Sequence, residues 1–324
     1  MKPIRKILVA SDFSGPSNTA YLYAQEAAKV FTATVDSLHV VPTMRYFQES
    51  LKPMVLPLDM EKNLYPQIKT IAKNQLNEEL TSNIDEIYRG TSYVIIERKI
   101  AQAIADFAEK NGYDLVVIGS IGSHKSKTHR GSIAERIVRK CSVPVFAVPN
   151  VREVHRINKI VIPLELTPLS MRAIPFAVYL AKTLDASITF LNIIELYGSR
   201  ATTDFNTDEA ESTFKRLIQM ANEELEKIEG GVKISILQNN VVMEGTIHLH
   251  TNQRTHQIPL HCVVKKGISA YNQIMEYASE EADMLVMTTH GSEGLAHFLL
   301  GSTTEKVVYN MDLPIITIRP KKKK

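Results

Sequence analysis

Short, uninterrupted apolar runs recur along the chain, and Ile7 to Ala10, Leu115 to Ile118 and Val143 to Val148 are rich in β-branched residues. They lack the alternation of a half-exposed sheet, so the strands they predict are buried on both faces, as in a parallel sheet. Between them, Ser17 to Phe31 carries apolar residues at helical spacing, Asp59 to Leu80 is long and charged on one side, and Ile100 to Asn111 is compact and Ala-rich. A fourth helix is expected over Ser132 to Lys140. Strands alternating with helices impose right-handed crossovers and predict a doubly wound α/β sheet. Ligands of such sheets sit at the carboxyl ends of the strands, so the strand-to-helix loops are where binding residues are sought.

The pattern occurs twice. Lys6 to Ser14 is answered by Lys159 to Thr167, Asp114 to Ser120 by Asp283 to Thr289, and Val143 to Val148 by Leu313 to Ile318. A 324-residue chain suits two domains of ordinary size. The repeat places them at residues 1–150 and 155–320, with the boundary near Asn150 to Asn158. Relative to the first half, the second shortens the Pro42 to Pro57 loop and gains residues after its second helix, over about 232–257. Val232 to Leu237, a polar Gln238-Asn239-Asn240 and Val241 to His250 predict an inserted β-hairpin there.

Charge and cysteine change the picture little. The net charge is +3, and residues 1–150 hold 19 basic and 15 acidic side chains while the remainder hold 19 and 20. Four of the latter basic residues are Lys321 to Lys324, a solvated tail, so no nucleic-acid groove is expected. Cys141 and Cys262 lie in separate halves without a pairing pattern, which predicts buried small hydrophobes in a reducing, cytoplasmic setting. No apolar stretch approaches the ~20 residues of a membrane span, and the N-terminus has no signal-peptide core.

The first half's most chemical segment is Gly119-Ser120-Ile121-Gly122, followed after eight residues by Gly131-Ser132 at a helix start. Glycines allow backbone to approach a ligand, and a helix N-terminus offers free N–H groups to a phosphate. His124, Lys125, Lys127, His129 and Arg130 lie between. The bland alternative is a flexible loop capped by Ser132. The second half carries Thr288-Thr289-His290-Gly291, then Gly301-Ser302-Thr303-Thr304-Glu305.

This second string, preceded by Asp283 to Met287 and followed by Leu313 to Ile318, resembles the universal stress protein family, and the whole chain resembles its tandem two-domain form. The resemblance implies two tandem doubly wound, parallel-sheet α/β domains of the adenine nucleotide alpha hydrolase-like type. It implies binding of ATP or a related adenine nucleotide, with or without Mg, in a stress response that works by binding rather than catalysis. Asp12, Val40 and Val41, Gly119, Gly122, Gly131 and Ser132 stand at the matching positions of the first half; Gly291, Gly301 and Ser302 are the second-half counterparts. The second half departs at Glu165 for the Asp and Thr288 for the first glycine, and a Thr288 side chain would intrude where backbone must approach a ribose. The first half is thus the expected nucleotide site. The resemblance further implies pairing of the last strands into an internal pseudo-dimer, leaving a homodimer open.

Other constellations point elsewhere or nowhere. His248 and His250 share one face of the expected hairpin and are the weak metal candidates, without a carboxylate or cysteine pair to complete a tetrahedral set. No general base accompanies Asp12 and Ser14, so no catalytic residue is assigned, and slow ATP hydrolysis is the most that is expected. Asp12 reads as an acceptor for the ligand or as a local cap before the first helix. The competing class is an interaction scaffold without nucleotide, whose hairpin recruits a partner or a metal.

Overall fold

The computed structural model describes residues 2–43, 60–119, 133–196, 207–228, 231–238, 243–250, 255–289, 301–310 and 312–320. The chain divides into two compact units, the first built from described residues between Ile4 and Val154, the second from His155 onward.

In the first unit, β1 (Lys6–Ala10), β2 (Thr34–Pro42), β3 (Arg89–Glu97), β4 (Leu115–Gly119) and β5 (Val145–Val148) form a parallel sheet in the order β3-β2-β1-β4-β5. Its helices are α1 (Gly15–Phe31), α2 (Tyr65–Asn83), α3 (Ile100–Lys110) and α4 (Ile133–Lys140). β1 is central, and Ile7, Leu8 and Val9 are completely buried, as their uninterrupted apolar run requires. The direction of winding reverses between β1 and β4, which opens a crevice at their carboxyl ends. Helix α1 begins two residues before the expected Ser17 because Pro16 is tolerated in a first turn, where its missing N–H would have no partner. A single π turn at Met60–Leu64 precedes α2.

The second unit repeats this plan with β6 (Lys159–Pro163), β7 (Ser187–Glu195), β10 (Thr255–Gly267), β11 (Met284–Thr288) and β12 (Ile315–Ile318). Two short helices, α5 (Pro168–Met171) and α6 (Ile174–Leu184), stand where the first unit has the continuous α1. They are followed by α7 (Thr207–Leu225), α8 (Ala270–Glu281) and α9 (Ser302–Asn310).

The inserted hairpin is present: β8 (Val232–Gln238) pairs antiparallel with β9 (Met243–His250), and β9 pairs antiparallel with the lengthened β10. The insertion therefore covers the sheet edge that the first unit leaves at β3. Beside β3 the register slips at Val35 and Ser37, and Asp36 takes up the bulge by accepting from the Thr91 N–H (2.6 Å) and the Tyr113 hydroxyl (2.7 Å).

Both units close with the same clasp. Asp114 Oδ2 accepts the backbone N–H groups of Arg5 (2.9 Å) and Lys6 (3.0 Å). Asp283 Oδ2 accepts those of Asn158 (2.8 Å) and Lys159 (2.9 Å). Each clasp satisfies donors ahead of a central strand that have no ladder partner, which makes these two repeated aspartates structural. Cys141 and Cys262 are buried in the core outside any disulfide, and burial pushes the Cys262 thiol up to about 12, so it packs as a small apolar group. No helix among the described residues is long and apolar enough to cross a membrane.

Candidate functional site

The strand ladders equate the repeats position by position. Lys6 faces Thr34 as Lys159 faces Ser187, and Ile7 faces Leu115 as Ile160 faces Met284. The amide of Ser11 donates to Leu38 O and that of Leu164 to Leu191 O, so Ser11 corresponds to Leu164, Asp12 to Glu165 and Gly119 to Thr288. Even the support of the loop is shared: His39 Nδ1–H donates to Ser11 O (2.8 Å), and Asn192 Nδ2 donates to Leu164 O (2.7 Å).

In the first unit, Asp12 leaves β1 at the mouth of the crevice. Its Oδ1 accepts from the Ser14 N–H (3.1 Å) and the Ser17 hydroxyl (2.5 Å), forming a local cap at the start of α1. Partial burial works to raise its pKa, but the hydrogen bonds from Ser14 and Ser17 outweigh it and hold the carboxyl below its ordinary value. Oδ2 carries no hydrogen bond among the described residues. The cap and ligand-acceptor roles are thus compatible, one oxygen serving each. Phe13 follows in the left-handed region (φ 65°) with its ring stacked on His39, centroids 4.3 Å apart.

Val40 and Val41 are buried at the end of β2, with their backbones paired to Ile95 and Ile96. Gly119 ends β4 across the crevice. A β-carbon on Gly119 would lie 2.5 Å from the Pro16 carbonyl carbon and nearer still to its oxygen. The described contact behind this glycine is therefore the N-terminal turn of α1 rather than a ligand. The corresponding Thr288 is accommodated and buried where α5 and α6 replace the continuous helix, so the expected intrusion becomes a wall of a cavity. Gly122, Gly131, Ser132 and Gly291 lie outside the described residues.

Gly301 and Ser302 stand at the start of α9. The Gly301 N–H, which the resemblance would aim at a phosphate, donates to Thr289 O (2.8 Å). The two hairpin histidines reach to different strands, His248 Nε2 to the Ser235 hydroxyl (2.7 Å) and His250 Nδ1 to the Thr255 hydroxyl (3.1 Å). No group of three metal-ligating side chains occurs among the described residues.

A buried polar cluster beneath the first crevice has no expression in sequence pattern. The Ser11 hydroxyl donates to Glu79 Oε2 (2.7 Å), reaching in from α2, and accepts from the Phe13 N–H (3.1 Å). Burial holds the Glu79 carboxyl above its ordinary value. Tyr21, Ser37 and Ser92 complete the cluster, and the Ser37 and Ser92 hydroxyls lie 3.3 Å apart. In the second unit the ladders put Leu164, Phe190 and Cys262 in place of Ser11, Ser37 and Ser92. Only a direct comparison of the two halves reveals this exchange.

The Tyr21 hydroxyl is buried without a well-formed hydrogen bond. Tyr21→Phe is therefore expected to leave stability unchanged or raise it by up to ~1 kcal/mol, because the mutation removes a buried hydroxyl that has lost its water. Urea unfolding checks this, and a loss above ~1 kcal/mol would mean that the hydroxyl is bonded after all.

Taken together, the crevice between β1 and β4, the acid after β1 and the glycine ending β4 define a tandem doubly wound α/β protein with its candidate site at the switch point. The Universal stress protein family matches the chain twice, over residues 3–149 and 156–319, and the chain belongs to that family. Universal stress protein MJ0531 of Methanocaldococcus jannaschii is 28% identical over 167 residues, covering 51% of this chain and 84% of that protein. A second protein of that organism, Universal stress protein MJ0577, is 24% identical over 152 residues, covering 44% and 94%. Among solved structures, a universal stress protein from Archaeoglobus fulgidus superposes with a TM-score of 0.64 at 15% identity, over 97% of this chain and 98% of that one.

Proposed function

We propose that this chain binds an adenine nucleotide, with ATP as the working ligand, in the crevice of its first unit, and that it serves a stress response by binding rather than turnover. The observation that carries this reading is the state of Asp12. Its carboxyl is held ionised by Ser14 and Ser17, its Oδ2 is uncommitted among the described residues, and it stands at the switch point opposite Gly119. An anchored acceptor of this kind suits the amino or hydroxyl donors of a nucleoside, while phosphates would fall to the loop that follows β4.

A ligand that binds only the folded state stabilises it by about 2.7 kcal/mol at a hundredfold excess over Kd. Millimolar Mg-ATP is therefore expected to raise the melting temperature of the intact chain. Asp12→Ala should abolish the rise while leaving the far-ultraviolet circular dichroism unchanged. No shift in the unmodified protein would favour the scaffold reading, and an equal shift in both would place the nucleotide away from Asp12.

A further inference from the structure

The second unit's crevice holds an open-mouthed cavity in the place that corresponds to the first unit's site. Its base is apolar, formed by Leu164, Leu191, Ile193, Ile274 and Met287. Its polar wall is made of Glu165, Ser170, Thr288, Thr303 and Thr304, without a cationic side chain. The Thr304 hydroxyl lines the cavity but donates to Thr288 O (3.0 Å). The Ser170 hydroxyl also lines it and is spent on the carbonyls of Glu165 and Thr167. Those two hydroxyl protons are thus committed to backbone carbonyls.

Glu165 adds a carboxyl to the same wall, and it has no hydrogen-bond or ion-pair partner among the described residues. Glu165 keeps an exposed side, but desolvation against the wall first, and the neighbouring Glu195 charge second, hold its carboxyl above its ordinary value, so a positive charge beside it would offset both. Glu195 itself accepts from the Ala270 N–H (2.6 Å) at the start of α8, so its charge is fixed near the mouth. The Gly301 N–H is spent on Thr289 O, which removes a donor that an anion would need.

An apolar base, a hydroxyl-bearing wall and a carboxyl that no cationic side chain on the lining balances match a cation and oppose a polyphosphate. We propose that the second unit's cavity binds a compact organic cation, an amine carried on a single apolar ring or short chain, with Glu165 as its counter-ion. The two repeats would then present related crevices to ligands of opposite charge. This proposal does not rest on nucleotide binding by the first unit.

The test uses the intact chain and benzylamine as probe, with benzoate as its charge-reversed match, in ligand-observed saturation-transfer NMR. Benzylamine is expected to receive saturation and benzoate none. Glu165→Gln should weaken benzylamine roughly tenfold, because a charge-assisted contact becomes a neutral one. Ile274→Phe, which fills the base of the cavity, should weaken it independently and guards against a misfolded Glu165 variant. Equal binding of benzoate, no binding of benzylamine, or indifference of benzylamine to both variants would overturn the proposal. Displacement of benzylamine by Mg-ATP would also overturn it, by making the cavity a nucleotide site. Because the Asp12→Ala thermal shift reads the other crevice, each proposal can fail without the other.

Discussion

Gly119→Thr, which copies the second repeat into the first, is expected to destabilise the first unit by about 3 kcal/mol. The added β-carbon would meet the Pro16 backbone, 2.5 Å from its carbonyl carbon, and backbone at the head of a 17-residue helix cannot swing aside as a side chain can. The second unit escapes the clash because its helix is interrupted between Met171 and Ile174. Urea unfolding followed by circular dichroism checks this. Two units need not unfold together, so the expected result is an earlier first transition with the other unmoved. The reverse change, Thr288→Gly, should cost no more than about 1 kcal/mol. A Gly119→Thr protein as stable as the parent would show that α1 can retreat, and would remove the packing explanation for this glycine.

Phe190→Ser is the second large effect, expected to cost about 3–5 kcal/mol. Serine is already tolerated at the corresponding Ser37, which is completely buried. The first unit succeeds there because Tyr21, in the position of Ile174, brings an aromatic ring from the helix when the strand gives one up. If that exchange is the reason, Ile174→Tyr should recover at least about 1 kcal/mol in the Phe190→Ser background while being unfavourable alone. Denaturation of the four proteins in the cycle supplies the coupling. A coupling of zero would mean that the two cores tolerate their residues independently.

Much of the architecture follows from features that a linear reading detects. Uninterrupted β-branched runs such as Leu115 to Ile118 can only be strands covered on both faces, and the duplication of those runs doubles the domain. The hairpin was visible because its two apolar segments flank a polar turn. What stayed hidden depended on contacts between distant segments. Glu79 sits in a charged helix and looks solvated until α2 is laid over the sheet and its carboxyl meets Ser11. Ser37 and Ser92 weaken their strands as propensities and gain meaning only as neighbours. Gly119 was legible as a close approach, but not as an approach by Pro16. At the candidate site, the loop residues Gly122, Gly131 and Ser132 remain readings of sequence, whereas Asp12 and Glu165 acquired their character from how equivalent neighbours turn: Ser14 and Ser17 donate to the Asp12 carboxyl, Thr167 and Ser170 to the Glu165 backbone carbonyl.

The paired clasps at Asp114 and Asp283 bear on how the second repeat came to accommodate its insertion. The first clasp joins residues 108 apart, the second residues 124 apart. Closure entropy grows only with the logarithm of loop length, so the longer span adds about 0.1 kcal/mol to the chain entropy lost on folding. A hairpin could thus be spliced between the ends of a clasp almost without thermodynamic consequence, provided that its own strands found partners. The clasp made the interior of the repeat a permissive site for growth, and the next insertion there would meet as little resistance.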